Sequence, residues 1–224
     1  MSSSNLETFT HQFSPTTYND PTERLVHSGG MFAGRMMASQ ILRTLKAEDE
    51  AAKEAYRSTH DQLTGLYNRR GLEEEGARRM KLSSNLIVLM FDIDNFKFVN
   101  NNFGHLAGDQ LLIMAARIIK QTVRSDDIVG RFGGDEIVVA ADTAPRNPSD
   151  FHLSPMQRGG SIISRVQTNL GQEVEAAGWG GGNVGISGGM AVYSPAWHSD
   201  FASLVRDADS HQYIEKNAHH LNDQ

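Results

Sequence analysis

Apolar and polar positions divide the chain into an aperiodic N-terminal segment, a long stretch with helical periodicity, and a region of alternating helices and strands. Residues 1–28 mix Ser, Thr, Asn and Pro with scattered aromatic residues, and we expect an irregular arm there. Residues 29–58 contain no proline and many helix formers, which predicts a helix. Within it, small or apolar residues recur at seven-residue spacing, at Met31, Ala38, Leu45 and Ala52. We interpret this helix either as a short coiled-coil stalk for dimerisation or as an amphipathic helix packed on its own domain.

Beyond residue 59 the hydrophobic period changes repeatedly between that of a helix and that of a strand. The pattern predicts four helices, over 68–80, 106–123, 161–176 and 200–217. It also predicts four strands, over 86–93, 128–132, 137–141 and 183–193, the middle two forming a hairpin. This order predicts an α/β sandwich with a mixed central sheet and flanking helices, preceded by the N-terminal helix.

Composition and charge then exclude several classes of protein. The 224-residue chain has no cysteine, which excludes disulfides and thiolate metal sites. No run reaches the length of about 20 apolar residues that a membrane helix needs, and the N-terminus lacks the pattern of a signal peptide. A net charge of -6 argues against a nucleic acid as the main partner. We therefore expect a cytoplasmic protein with neither a membrane nor a nucleic-acid partner.

Acidic residues lie where two predicted strands stop and the chain turns. Asp92 ends the apolar run that starts at Leu86, whereas Asp135 and Glu136 lie at the tip of the predicted hairpin. If these strands are neighbours in one sheet, their carboxylates converge at one edge, where they can bind Mg²⁺ together with phosphate oxygens. The glycines at 133–134 would let the backbone approach a phosphate closely. Taken singly, each piece is more typical of an ordinary hairpin turn or a solvated strand end.

Four segments of the chain resemble, in order, the signatures of the GGDEF family of diguanylate cyclases. They are DQLTGLYNRR at 61–70, FDIDNFK at 91–97, GD at 108–109 and RFGGDEI at 131–137. The resemblance covers roughly three-quarters of the chain. It implies that residues 59–224 form a GGDEF catalytic domain with the nucleotidyl cyclase or polymerase palm fold.

The resemblance also implies a metal and catalytic centre. By analogy with the family, Asp92 and Asp135 bind metal through their side chains, and Ile93 binds it through its backbone carbonyl. The expected cofactor is Mg²⁺, with Mn²⁺ as an alternative, at two ions per active site. Asp135 and Glu136 are the expected catalytic carboxylates.

A second set of residues is implied to bind GTP. Asn100 and Asp109 would hydrogen-bond the guanine edge, since a carboxylate can accept from both N1–H and the exocyclic amine. Lys97 and Lys216 would neutralise phosphate charge, and Phe96 belongs to the same substrate-binding segment. Asp109 is the main reason to prefer GTP to ATP.

In the family, two GTP molecules held in two facing domains react to form cyclic di-GMP. Each 3′-hydroxyl attacks the α-phosphate of the other GTP, and pyrophosphate leaves. The resemblance therefore implies a homodimer, and it gives the helix at 29–58 a role in bringing two domains together.

An inhibitory product site is also implied. Arg124 and Asp127 match the family's RxxD motif at the expected distance before the glycine pair, and they would bind cyclic di-GMP. Without that distance to the glycine pair, an arginine and an aspartate three residues apart would be interpreted as an ordinary solvated pair.

The sequence departs from the family pattern at three positions. Ile137 replaces a phenylalanine, and we expect it to bury an apolar side chain all the same. Asn101 replaces an aspartate. His220 stands where an arginine that contacts the triphosphate is expected, and this keeps a second hypothesis open: a catalytically weak or inactive domain that binds GTP or cyclic di-GMP as a receptor.

Overall fold

The computed structural model describes residues 21–145, 153–180 and 183–222, with side chains from residue 36 to residue 212 within those ranges. The described residues form six helices, α1 (Pro21–Thr59), α2 (Arg69–Leu82), α3 (Phe96–Phe103), α4 (His105–Thr122), α5 (Pro155–Ala176) and α6 (Phe201–Asn222). They form four strands, β1 (Leu86–Asp94), β2 (Ile128–Arg131), β3 (Glu136–Asp142) and β4 (Gly185–Val192). The chain divides into two compact units after Lys53.

The strands of the second unit form one sheet in the order β2-β3-β1-β4. The α/β sandwich with flanking helices is confirmed. The pairing, however, is antiparallel at all three ladders, and within the described residues parallel pairing is limited to an isolated bridge between Tyr67 and Gly130. The sheet is therefore antiparallel, and the expectation of a mixed sheet was wrong. Periodicity could not reveal the direction of pairing, because a strand covered on both faces reads as a continuous apolar run.

Strand β1 is the centre of two hydrophobic cores. Its odd-numbered apolar residues, Ile87 to Ile93, pack with residues of α4 and α5 on one face of the sheet. Its even-numbered residues, Leu86 to Met90, pack with residues of α2 and α6 on the other face. Because side chains alternate across a strand, the polar residues at its end project on the α2 and α6 side when they are even-numbered. This places Asp92 and Asp94 on that side.

Helices α3, α5 and α1 differ from the sequence-based expectations, and α6 ends at Asn222, beyond the predicted end at residue 217. Helix α3 was not predicted, because its sequence FKFVNNNF has no long apolar period and three asparagines. Helix α5 begins at Pro155, six residues earlier than predicted, behind a capping box between Ser154 and Gln157. Helix α1 begins at Pro21, inside the predicted irregular arm. The rest of that arm, residues 1–20, lies outside the described residues.

The N-terminal unit is described by helix α1 alone. Large apolar side chains are more than half exposed along it: Met36, Met37, Ile41, Leu42 and Leu45. None of the helices within the described ranges is long and apolar enough to cross a membrane.

Candidate active site

The strand ends bring the predicted metal residues to one edge of the sheet. Asp92 on β1 lies directly opposite Glu136 on β3 in the antiparallel register. The backbone N–H of Ile93 donates to the carbonyl oxygen of Asp135 at 3.4 Å, which ties the end of β1 to the hairpin turn. Asp92, Asp135 and Glu136 are each half-buried. The sheet therefore brings Asp92 to the same edge as Asp135 and Glu136 of the hairpin.

The electrostatics of this edge are dominated by like charge. Burial raises the pKa of Glu136, and the neighbouring carboxylates Asp92, Asp209 and Asp135 raise it further, against the opposing charge of Arg69. Asp209, on α6, is thus a further carboxylate whose charge acts on Glu136, and the sequence analysis did not identify it. Its position depends on the packing of α6 beside β1 and β4, for which the sequence has no local pattern.

The donor set fits a hard divalent cation. Two aspartate carboxylates and a backbone carbonyl are oxygen ligands, and Mg²⁺ binds through few protein oxygens while substrate phosphates and water complete its shell. A divalent charge would also relieve the repulsion around Glu136. Among the described residues, no group of three or more His, Asp or Glu side chains is placed so that it could hold a metal ion by itself.

The turn between β2 and β3 is held by backbone and side-chain bonds. Phe132 N–H donates to the carbonyl oxygen of Glu136 at 2.9 Å and closes the hairpin. The carboxylate of Glu136 folds over Gly133, so a Cβ at residue 133 would collide with it. Gly134 faces open space. A side chain at residue 133 would therefore displace the Glu136 carboxylate, whereas one at residue 134 would meet no neighbour.

Arg131 connects this turn to the opening motif, 70 residues earlier in the chain. Its Nε and Nη2 donate to the carbonyl oxygen of Gly134 at 3.1 and 2.7 Å, and its Nη1 donates to both oxygens of Asp61 at 3.3 and 3.2 Å. Asp61 also accepts from the N–H and hydroxyl of Thr64. Burial would raise the pKa of Asp61, but the bonds from Thr64 and Arg131 outweigh it and hold the pKa below its usual value.

The two predicted guanine-binding residues lie on consecutive helices. Asn100 is on α3 and Asp109 on α4, with Gly104 between them at φ 86, a conformation that favours glycine. A Cβ at residue 108 would collide with the side-chain oxygen of Asn100. Asn100 therefore lies against the backbone next to Asp109, whose side chain is exposed.

Phe96 and Lys97 form the first turn of α3, next to the end of β1. The ring of Phe96 is partly buried and packs against the core between the sheet and α4 and α5, whereas Lys97 is exposed. The N-terminal N–H groups of a helix have no partner within the helix and favour anions. Phe96 can thus serve a phosphate through its backbone while its side chain remains structural.

Comparison with known proteins decides the family. The model of the family described as "Diguanylate cyclase, GGDEF domain" matches residues 58–222. The chain belongs to the GGDEF family. Its relatives include the diguanylate cyclase TpbB of Pseudomonas aeruginosa (strain UCBPP-PA14), which is 32% identical over 180 residues, covering 76% of this chain and 38% of TpbB.

Other relatives share the same domain. The diguanylate cyclase DosC of Escherichia coli (strain K12) is 34% identical over 160 residues, covering 70% of this chain and 32% of DosC. YtrP of Bacillus subtilis (strain 168) is 32% identical over 156 residues, covering 70% of this chain and 24% of YtrP. The chain thus spans between a quarter and two-fifths of the length of these curated relatives.

Solved structures confirm the cyclase palm fold. The GGDEF domain of TpbB from Pseudomonas aeruginosa, 32% identical, gives a TM-score of 0.54 over 71% of this chain and 89% of that chain. The coiled coil and GGDEF domain of DgcB from Caulobacter crescentus, in complex with cyclic di-GMP, gives 0.62 over 83% and 95%. At 20% identity, the likeness to DgcB bears on the fold alone.

In this GGDEF domain the predicted inhibitory pair lies in the loop between α4 and β2. The carboxylate of Asp127 accepts from the backbone N–H of Arg124 at 2.9 Å, and the Arg124 guanidinium donates to the carbonyl oxygens of Asp142 and Ala144 at 3.4 and 3.5 Å. Burial raises the pKa of Asp127, with a further contribution from Asp126. The two side chains are adjacent, but both are bonded to backbone, so a ligand here would have to displace some of those bonds.

The remaining predictions have different outcomes. Ile137 is completely buried, which confirms that it takes an apolar core position. Asp94 receives hydrogen bonds from the hydroxyl of Ser187 at 2.8 and 2.9 Å, a contact with β4 that periodicity could not predict. The side chains of Lys216 and His220 lie outside the described residues, so their roles stay predictions.

Proposed function

We propose that this GGDEF domain is an active diguanylate cyclase, which condenses two GTP into cyclic di-GMP and two pyrophosphates. The observation that supports this most is the convergence of Asp92, Asp135 and Glu136 at one edge of the sheet, where neighbouring carboxylates raise the pKa of Glu136. An acidic cluster of this kind costs stability unless cations neutralise it, which is the condition that a metal-bound triphosphate creates.

In the proposed centre, Asp92, Asp135 and the carbonyl of Ile93 hold two Mg²⁺, with Mn²⁺ as an alternative. When bound, the ions supply charge neutralisation for the attacking and leaving oxygens of the displacement. Glu136 contributes further negative charge beside them. The turn itself contributes positioning, since Arg131 and the bond from Phe132 to Glu136 fix its backbone.

Substrate selection is assigned to helices α3 and α4. Asn100 and Asp109 would read the guanine edge, and the Asp109 carboxylate would accept from N1–H and the exocyclic amine, which adenine does not offer together. Lys97, Lys216 and the N-terminal N–H groups at Phe96 would hold the phosphates.

Catalysis requires two copies, because one domain holds one GTP. The 3′-oxygen of each GTP forms a bond to the α-phosphorus of the other, and the bond to the leaving pyrophosphate breaks. We assign dimerisation to α1, whose exposed apolar residues include Ile41 and Leu45. Product inhibition is assigned to Arg124 and Asp127, where the guanidinium would bind phosphate and the carboxylate guanine.

Incubation with GTP and Mg²⁺, followed by chromatography, tests the proposed function. We expect cyclic di-GMP from the wild-type chain, none with ATP alone, and none from Asp135→Ala. His220, in place of the expected arginine, favours the alternative of a receptor for GTP or cyclic di-GMP. Nucleotide binding with no turnover by the wild-type chain would establish the receptor instead of the enzyme.

A further inference from the structure

Arg69, the first residue of α2, lies over the ring of Phe132 at the start of the catalytic turn. Its guanidinium carbon is 4.3 Å from the ring centroid, the geometry of a cation–π contact. Phe132 directly precedes Gly133, and its N–H donates to the carbonyl oxygen of Glu136. A group that fixes Phe132 therefore acts on both ends of the turn at 132–136.

The backbone of Arg69 is held firmly from the other side. Asn68 caps α2 by accepting from the N–H of Gly71 at 2.9 Å, and its own N–H donates to the carbonyl oxygen of Thr59 at 2.9 Å. The Asn68 side chain donates to the carbonyl oxygen of Ser58 at 3.0 Å. Arg69 thus reaches the turn from a capped helix start, whose backbone is fixed by these bonds.

The neighbouring Arg70 offers a control for Arg69, because both arginines form the same kind of ion pair on the surface of α2. Arg69 forms an ion pair with Glu73, four residues on, at 3.0 Å, and Arg70 forms the same pair with Glu74 at 2.8 Å. Both arginine side chains are exposed, at 63% and 69%. Of the two arginines, Arg69 is the one whose guanidinium lies over the ring of Phe132 and whose charge acts on Glu136. A comparison of the two arginines therefore separates the effect of Arg69 on the turn from the effect of a helix-surface ion pair.

We infer that Arg69 is a positioning residue for the cyclase reaction, holding Phe132 and thereby the catalytic turn in its reactive geometry. The inference rests on the proposed function. Arg69 contacts the aromatic ring, and its charge also opposes the rise in the pKa of Glu136, so its action on the reaction is through the turn and its carboxylate. A displacement of the turn by an ångström or less moves Asp135 relative to the phosphate it must face, which affects turnover more than nucleotide binding.

Steady-state kinetics of Arg69→Ala and Arg70→Ala test this role. Each variant loses one equivalent helix-surface ion pair. We expect kcat to fall about tenfold in Arg69→Ala, with KM for GTP changed by less than about twofold, and both constants to stay near wild type in Arg70→Ala. Arg69→Lys, which keeps the charge over the ring, should recover part of kcat. In a Phe132→Leu background, Arg69→Ala should have a smaller effect than in the wild-type background, because the ring contact is already lost and the remaining effect is the charge of Arg69 near Glu136.

Amide hydrogen exchange gives a readout that does not depend on activity. Exchange at residues 132–136 should accelerate several-fold in Arg69→Ala and stay at the wild-type rate in Arg70→Ala. Equal effects of the two variants, or a rise in KM with kcat intact in Arg69→Ala, would overturn the inference. If the wild-type chain has no cyclase activity, the proposed function fails, but the exchange comparison still decides whether Arg69 holds the turn.

Discussion

At the scale of single residues, the site depends on contacts between positions far apart in the sequence. Asp92 and Glu136 meet because β1 and β3 are adjacent, and Asp209 joins them from the last helix. The sequence predicts that Asp92 and Glu136 converge if their strands are neighbours, because each residue lies at the end of a predicted strand. The Asp209 position and the bond from Arg131 to Asp61 depend on tertiary packing, for which the sequence offered no local pattern.

Asp61→Asn should weaken both the fold and the turn. The pKa of Asp61 is lowered in the folded protein, so its ionised form contributes stability above the pKa of the unfolded chain, about 3.9. That contribution is lost as pH falls through the lower folded value. We expect Asp61→Asn to cost about 1–2 kcal/mol at neutral pH, because charge-assisted bonds from Arg131 and Thr64 are lost.

Urea unfolding at neutral pH and near pH 3 checks this prediction. The difference between wild type and Asp61→Asn should be largest at neutral pH and should shrink in acid. A difference that stays constant with pH would show that the ionised carboxylate is not the source of the stability.

At the scale of elements, periodicity predicted long, regular segments and failed at short or capped ones. Strand β1 and helix α4 were predictable because each has an uninterrupted apolar pattern. Helix α3 was not predicted because its eight residues include three asparagines. The early start of α5 was not predicted because residues 155–160 have no apolar period, although proline after a Ser cap is a signal for the start of a helix.

Substitution of two glycines by alanine compares a position packed closely against α6 with an open position on α5. A Cβ at Gly189 on β4 would collide with the backbone of α6 at Ala208 and Gln212, whereas Gly171 on α5 faces open space. We expect Gly189→Ala to destabilise the domain by about 1–3 kcal/mol, because neither backbone can move without repacking. Gly171→Ala should stabilise it by about 0.5–1 kcal/mol through helix propensity.

Thermal or urea unfolding of these two variants measures both effects with the same substitution. Equal stability of Gly189→Ala and the wild-type chain would contradict the close approach of β4 and α6. Such a result would also remove the basis for placing Asp209 beside Glu136.

At the scale of the whole molecule, the proposed reaction needs two chains. The apolar residues exposed along α1 have the composition of a helix that pairs with a second copy. We expect Leu45→Glu to lower the mass in solution to that of a monomer and to lower the cyclase rate per chain, with GTP binding by each domain retained. Light scattering and equilibrium binding measure the two properties.

Lys53→Ala provides the matched control on the same helix, because it removes an exposed ion pair with Asp49 and no apolar side chain. It should leave both mass and rate unchanged. If the Leu45→Glu variant keeps the mass in solution of a wild-type dimer, the dimer contact lies elsewhere than on α1.

The central claim is that this domain joins two GTP molecules through the carboxylates at the ends of β1 and the hairpin turn. Its most direct test is the stoichiometry of a single reaction with GTP and Mg²⁺, in which pyrophosphate and cyclic di-GMP are measured together. The account predicts two pyrophosphates for each cyclic dinucleotide, and neither product from Asp92→Asn. Bound GTP without products, or product formation that survives Asp92→Asn, would contradict it.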